Sequence, residues 1–312
     1  MARFILKRFL TALFIVLFVV LLNYTIIHLA PGDPVLIMAG FDNPSQEQID
    51  ALTVKYGLDQ PLYVQFWRYF RSLLTGDMGT SFVYNQPVIN LITERMGASL
   101  LLSGTSALLA VLIGCLLGLY AGRHHGKLMD HTFSGMAYTF NAMPSFWLGL
   151  MLIIIFALHL RLFPTGGNFG WKSLVLPAVT VGFGLAALIT RITRSSMLDV
   201  MRQDYMTTAR AKGCSEHRVI YKHGLKNALI PIITAIGLQM SLVITGSVLA
   251  ETVFSWPGIG RLVYESITRR DIPMVTGSII LCSILMCIIN LVVDLVYAFF
   301  DPRIKAQYSK KG

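Results

Sequence analysis

Asp204-Tyr-Met-Thr-Thr-Ala-Arg-Ala-Lys-Gly213-Cys-Ser-Glu-His-Arg-Val-Ile-Tyr-Lys-His-Gly-Leu-Lys-Asn-Ala-Leu-Ile-Pro231 is a strongly basic stretch set between two long apolar runs. Most of its residues are compatible with helix. A plain connection between neighbouring helices takes only a few residues. This one is too polar to enter lipid and too patterned to be a slack linker. It reads as a docking surface, and the runs on either side decide what it is attached to.

Those runs are membrane spans. The 312-residue chain is 54% hydrophobic and 13% charged, about half the ~25% charged share of soluble domains. Apolar segments longer than the ~18 residues that mark a span candidate fall at roughly 9–30, 98–121, 133–160, 174–193, 229–252 and 274–300. The expected fold class is all-α, a polytopic membrane protein with six transmembrane helices. An even number of spans puts both ends on one side. Of the 26 Lys and Arg residues, 17 lie in the two ends, the 123–131 turn and the 191–227 loop, and nine in the opposite segments. The richer side is expected to be cytoplasmic. The 31–97 segment, with seven acids and four bases, agrees with an external position.

The division expected from this is an anchor helix over 1–30 and a small helical extracytoplasmic insertion over 31–97. A five-helix core follows over 98–303 with the docking loop at 199–227, then a cytoplasmic tail over 304–312. The first run exceeds a signal-peptide core and lacks a small-x-small cleavage pattern, so it is expected to stay as an anchor. Basic residues sit beside spans rather than on a folded basic domain, so membrane lipid, not nucleic acid, is the expected neighbour. Cys115, Cys282 and Cys287 lie in apolar runs and Cys214 in the basic loop; no disulfide is expected.

Helix punctuation runs through the external segment. Ser45-x-x-Gln48 resembles a capping box opening a helix that should stop at Gly57. Pro61 suits the first turn of a second, whose Leu62, Phe66, Tyr69, Phe70 and Leu73 recur at helical spacing up to Gly76. Pro87 to Met96 reads as a third, ending at Gly97. The ordered insertion is either a lid on the bundle or a landing surface for an extracellular partner.

Within the spans, Gly114-x-x-x-Gly118-x-x-x-Gly122 marks close helix packing. Pro144 and Pro177 should kink the third and fourth spans. Gln239, Ser241, Thr245 and Ser247 could line a hydrophilic translocation pathway on the fifth. Asn290 and Asp294 share a face of the sixth, where Asp294 suits a structural lock better than a proton relay.

Catalytic and cofactor signatures are missing. Gly122-Arg-His-His-Gly126-Lys127-Leu128 has one residue too few between its glycines for a phosphate loop, and Leu128 where Mg²⁺ needs a hydroxyl. In Gly166 to Ser173, Trp171 separates glycine from lysine. No zinc-protease or serine-hydrolase signature occurs, and the seven histidines lack metal-ligand spacing. The expectation is a non-enzyme with no cofactor and no metal.

The basic loop resembles the cytoplasmic loop of ABC importer permeases: Glu-Ala-Ala, three residues, Gly, nine residues, Ile-x-Leu-Pro. Thr207-Thr208-Ala209 stand at its start and Gly213 at its glycine, with His223, Leu225 and Lys226 at the Ile, Leu and Pro positions. These departures are similar to the dipeptide/oligopeptide/nickel branch, whose loops read Asp-Tyr-x-x-Thr-Ala-Arg-Ala-Lys-Gly, then His-x-Leu-x-Asn-Ala-x-x-Pro. Pro31-Gly-Asp-Pro34, Tyr56-Gly-Leu-Asp-Gln-Pro61, Gly76-Asp-Met-Gly-Thr-Ser81, Phe254-Ser-Trp-Pro-Gly-Ile-Gly260 and Asp301-Pro-Arg-Ile304 resemble the same branch.

The resemblance implies a bacterial inner-membrane permease subunit, paired with a second homologous permease, two ATP-binding subunits inside and a solute-binding protein outside. It implies ATPase docking by Asp204, Thr207, Thr208, Ala209, Arg210, Ala211, Lys212 and Gly213. It also suggests an external gate element of Phe254, Trp256, Pro257, Gly258 and Gly260 beside the passage. The branch handles short peptides, glutathione-like peptides and nickel or nickel chelates. The rival class, an ion-gradient-driven secondary carrier, calls for carboxylates in mid-membrane and activity as a lone subunit.

Overall fold

The structure is a computed structural model that describes residues 2–29, 45–56 and 59–300. The expected all-α class holds. Every regular element among these residues is helical, and β pairing is limited to one bridge, Thr80 to Pro87. In chain order the helices are α1 (Ala2–Leu29), α2 (Gln46–Tyr56), α3 (Leu62–Leu74), α4 (Val88–Arg123), α5 (Leu128–Ala142), α6 (Ser145–Leu152), α7 (Trp171–Met201), α8 (Asp204–Ala211), α9 (Glu216–Arg218), α10 (Leu225–Val253), α11 (Ile259–Thr268) and α12 (Ile272–Phe300). Wider π-type turns extend α6 over Ile153–His159 and join α9 to α10 over Val219–Gly224.

Among the described residues, four helices are long and apolar enough to cross a membrane: Ile5–Ile26, Val88–Arg123, Trp171–Met201 and Ile272–Leu295. A fifth candidate is the pair Leu128–Ala142 and Ser145–His159, bent by 105°. Pro144, at φ −60° and ψ 132°, cannot donate to the preceding turn, so the expected kink becomes a break. Pro177 behaves differently. It is buried in the second turn of α7, and that helix runs on unbroken to Met201. The segment expected as the fifth span, 229–252, lies in the continuous 29-residue α10.

The chain gathers into two compact units, one chiefly Ala98–Arg261, the other Lys7–Gly97 with Leu262–Ile288. In the first, α4 lies hard against α7. A Cβ on Gly114 would sit 2.7 Å from Cβ of Ile189, and one on Gly118 2.6 Å from the Thr190 carbonyl oxygen. Ala110, Leu185, Ala186 and Ile189 fill that contact, while Met197, Ile220, Ala228 and Ile232 seal α7 to α10. The small-residue stripe read from the sequence is therefore a packing seam.

In the second unit, α2 starts just after Ser45, the expected cap, and α3 starts and stops close to where periodicity places it. Pro61 takes the N-cap position of α3, and Gly76 follows it at φ +80°. Tyr24 of α1 packs edge-on to Phe66 and donates its hydroxyl to the Leu62 carbonyl at 2.9 Å. Buried Asp271 accepts from the Phe82 and Val83 amides at 3.2 and 3.3 Å and from the Ser81 hydroxyl, tying the 77–88 loop to the start of α12. The helix expected to end at Gly97 does not stop there. It is the first part of α4, which runs unbroken through Gly97 for 36 residues in all. A helical glycine costs only ~1 kcal/mol, too little to halt a helix flanked by good formers. Gly57, Pro31 to Pro34, Asp301 to Ile304 and the 304–312 tail lie outside the described residues.

Candidate functional site

The basic loop folds into a short arm off the end of α7. Helix α8 ends at Ala211, two residues before Gly213. Gly213 sits at φ +77° and donates to the Arg210 carbonyl at 2.9 Å, and the Cys214 amide reaches the Ala209 carbonyl at 3.3 Å. This pair of bonds is a Schellman closure. A Cβ on Gly213 would meet nothing within 4 Å, so glycine is required here by backbone conformation alone. Ser215 holds the N-cap position of α9 but makes no side-chain cap bond; the Val219 amide bonds its carbonyl at 2.9 Å.

The arm has two faces. Met206 and Ala209 point inward and pack with Val219, against Val200 and Met201 at the end of α7 and Cys214. Gly224 lets the methyl groups of Met206 and Met197 come close, so the arm abuts the seam between α7 and α10. Asp204, Thr207, Thr208, Ala211, Lys212 and Gly213 are exposed. Arg210 is half-buried and bonds Glu216 at 2.7 Å across the closure. Of the docking residues read from sequence, Ala209 thus belongs to the arm's own support.

Where π turns give way to α10, Asn227 donates to the His223 carbonyl at 2.8 Å. That bond satisfies an acceptor at the junction, and such π segments recur at functional positions.

At the other end of α10, the expected gate element is built around a residue that the sequence reading passed over. Glu251 is fully buried. Its Oε1 accepts from Ser99 Oγ at 2.7 Å and Ser247 Oγ at 3.2 Å, and its Oε2 from the Arg261 amide at 3.1 Å. Ser99 Oγ in turn accepts the Ile259 amide at 2.7 Å. The first turn of α11 is therefore capped by a carboxylate and a serine from two other helices, where negative charge is favoured.

Phe254 and Trp256 are buried, and Trp256 Nε1 donates to the Ala98 carbonyl at 2.9 Å. Pro257 is half-buried. A Cβ on Gly258 would fall inside the Glu251 carboxylate, and one on Gly260 would lie 2.7 Å from the Val248 Cα. The 161–173 connection closes over the element, with the Gly167 amide on the Phe254 carbonyl at 2.8 Å. The signal available in the sequence was an acidic residue ending an apolar run, three positions before Phe254.

Of the expected passage residues, Ser247 is committed to Glu251, Gln239 is half-buried, and the side chains of Ser241 and Thr245 lie outside the described residues. A second missed group stands at the start of α5. Asp130, outside the expected spans, takes Arg194 Nε at 2.5 Å and Nη2 at 2.8 Å, the Gly126 amide at 3.1 Å and His125 Nδ1 at 3.1 Å.

Residues 114–306 match the family described as binding-protein-dependent transport system inner membrane component, and residues 1–103 match its N-terminal model. The glutathione transport system permease protein GsiC of Salmonella paratyphi A is 42% identical over 305 residues, 98% of this chain and 99% of the relative. Its counterpart in Escherichia coli (strain K12) is 40% identical at the same coverage. A solved structure of the MetNI methionine ABC transporter in inward-facing conformations has a chain of similar fold. Its TM-score is 0.56 at 19% identity, covering 68% of this chain and 96% of that one. The chain belongs to the binding-protein-dependent transport system inner membrane components, as an ABC importer permease of the dipeptide/oligopeptide branch and a multi-pass protein of the inner membrane.

Proposed function

We propose that the chain and a second, homologous permease enclose the passage of an importer for short peptides of the glutathione class. Two ATP-binding subunits grip the arm at Asp204 to Gly213 on the cytoplasmic side, and a solute-binding protein delivers cargo outside. The observation that carries this reading is the arm's two-sidedness: a rigidly closed, exposed polar face backed by Met206 and Ala209 on the α7–α10 seam. Such a part transmits displacement. Closure of the ATP-binding subunits moves α8, the π turn follows, and α7 and α10 tilt with it. Phe254 to Gly260, pinned through Glu251 at the opposite end of α10, is carried along as the external gate.

Glutathione-like peptides are favoured over nickel because the relatives named above are described as glutathione permeases. The solute that the cognate binding protein captures tests this part: nickel without peptide overturns it. In the assembled importer, Gly213→Asp should leave the chain inserted but abolish solute-stimulated ATP hydrolysis. Normal stimulation in that variant removes the arm from the mechanism. Solute movement by the purified chain alone, with no ATPase present, would favour the secondary carrier.

A further inference from the structure

A cavity of about 340 Å³ opens between α5 and α7, lined by Ser134 and Tyr138 on the first and Arg191, Ile192, Arg194 and Ser195 on the second. Its two arginines are not equivalent. Arg194 is spent on Asp130, by both Nε and Nη2. Arg191 stands with its guanidinium carbon 5.7 Å from the Tyr138 ring centroid, and its Nε is buried with no acceptor among the described residues. A guanidinium carries five donors and keeps its charge. A buried donor without an acceptor is costly, and one beside a cavity calls for an acceptor inside it. Asp130 cancels Arg194, so the cavity keeps one net positive charge.

The surroundings say where such an anion comes from. Gly184, Arg191, Ser195 and Asp199 follow one another by seven, four and four residues and share one face of α7, with Leu188 between them. Gly184, Ser195 and Asp199 are exposed and Arg191 and Leu188 half-covered. Ser134, Tyr138 and Asn141 make the matching face of α5. Asp199 lies two turns beyond Arg191, about 12 Å along the axis, and so leaves its charge in place. By contrast α1 exposes Phe14, Leu17, Phe18 and Leu21, a face suited to lipid. A polar stripe with an arginine in it belongs instead against water or protein.

We infer that the α5–α7 cavity is an anion station on the wall of the passage, where Arg191, flanked by the Ser134 and Ser195 hydroxyls, takes a carboxylate of the peptide in transit. This rests on the transport reading above. The charge-assisted pairing of guanidinium with carboxylate supplies the selectivity, and the open mouth and single charge keep the hold weak enough for release.

The test uses the full importer in vesicles, with Ser195→Cys added to the chain and the parent chain as control. Methanethiosulfonate reagents bearing a sulfonate or a trimethylammonium are applied, and each rate is divided by that with a free thiol. The sulfonate should react about tenfold faster, the low end of electrostatic steering. Adding Arg191→Gln should bring the ratio to about one, and Arg191→Lys should keep the preference. Millimolar N-acetyl-trialanine should protect the thiol, and its neutral amide should not.

A ratio near one in the arginine-bearing chain, or a preference that survives Arg191→Gln, overturns the inference. So does failure of both reagents to react, which places the stripe against lipid or a partner subunit. A preference that vanishes in phosphatidylglycerol vesicles but not in phosphatidylcholine reassigns the site to a lipid phosphate. None of these outcomes touches the coupling measured with Gly213→Asp, so the two readings fail separately.

Discussion

Two short helices hang from the ends of α10, and they are held in opposite ways. On the loop side, α8 is closed by its own backbone: Gly213 turns at φ +77°, and Gly213 and Cys214 return their amides to Arg210 and Ala209. On the other side, α11 is capped from a distance by Glu251 and by Ser99, about 160 residues away in sequence. The first needs nothing from the rest of the chain except a greasy seat, so its outer face stays open. The second has its polar groups consumed by the fold. On the proposed reading, the part gripped by another subunit is built locally, and the part that moves with its helix is tied to it.

If that contrast is right, the largest effect of any single change in either region comes from Glu251→Ala. It strips the hydrogen bonds that Ser99, Ser247 and the Arg261 amide make to the carboxylate, and leaves that α11 amide without its acceptor, which should cost about 3 kcal/mol. The thermal midpoint of the purified chain should fall accordingly. A reagent confined to the external side should then label an added Ile259→Cys much faster than in the parent, where Ile259 is buried. An unchanged midpoint with unchanged labelling would mean that the gate element is held by Trp256 and Phe254 packing alone.

A paired glycine substitution sharpens the comparison further. Gly258→Ala drives a methyl group into the Glu251 carboxylate, and overpacking of that kind costs about 1–3 kcal/mol. Gly213→Ala meets no neighbour and carries only the strain of the left-handed backbone, about 1 kcal/mol. Stability should therefore separate the two, and coupling should separate them in reverse. Gly213→Ala should weaken solute-stimulated ATP hydrolysis more than its small stability loss explains. Equal losses on both measures would show that the two regions do not differ in kind.

The same contrast explains what the sequence could and could not announce. The arm was legible because a Schellman closure is local chemistry: a glycine after a helix, with polar residues on one side. The α4–α7 seam was legible for the same reason, since Gly114, Gly118 and Gly122 repeat every four residues. Glu251 was not, because its partner Ser99 lies 152 residues away and Arg261 reaches it only through the turn into α11. Asp130 was missed likewise, since Arg194 lies 64 residues on. Counting polar side chains on α10 picked out Ser247 without showing that it bonds the carboxylate one turn on. Gly97 misled in the other direction, a stop signal overruled by the apolar residues that follow it.

The smallest expected effect tests whether the arm's surface serves recognition rather than support. Arg210 and Glu216 pair at 2.7 Å across the Gly213 closure, with side chains 36% and 59% exposed. An exposed pair of this kind contributes about 0.5 kcal/mol or less to stability, so Glu216→Gln should leave the thermal midpoint where it was. It should still matter to assembly, because rim charges act on association rate more than on hold. Freed of its acidic partner, Arg210 presents a full charge to whatever approaches. The rate at which purified ATP-binding subunits associate with the permease pair should change by a few fold at low salt and return to the parent value as salt screens it. A variant that lowers the midpoint but leaves that rate alone would mean that Arg210 serves the arm's own closure, and that the open face is narrower than Asp204 to Gly213.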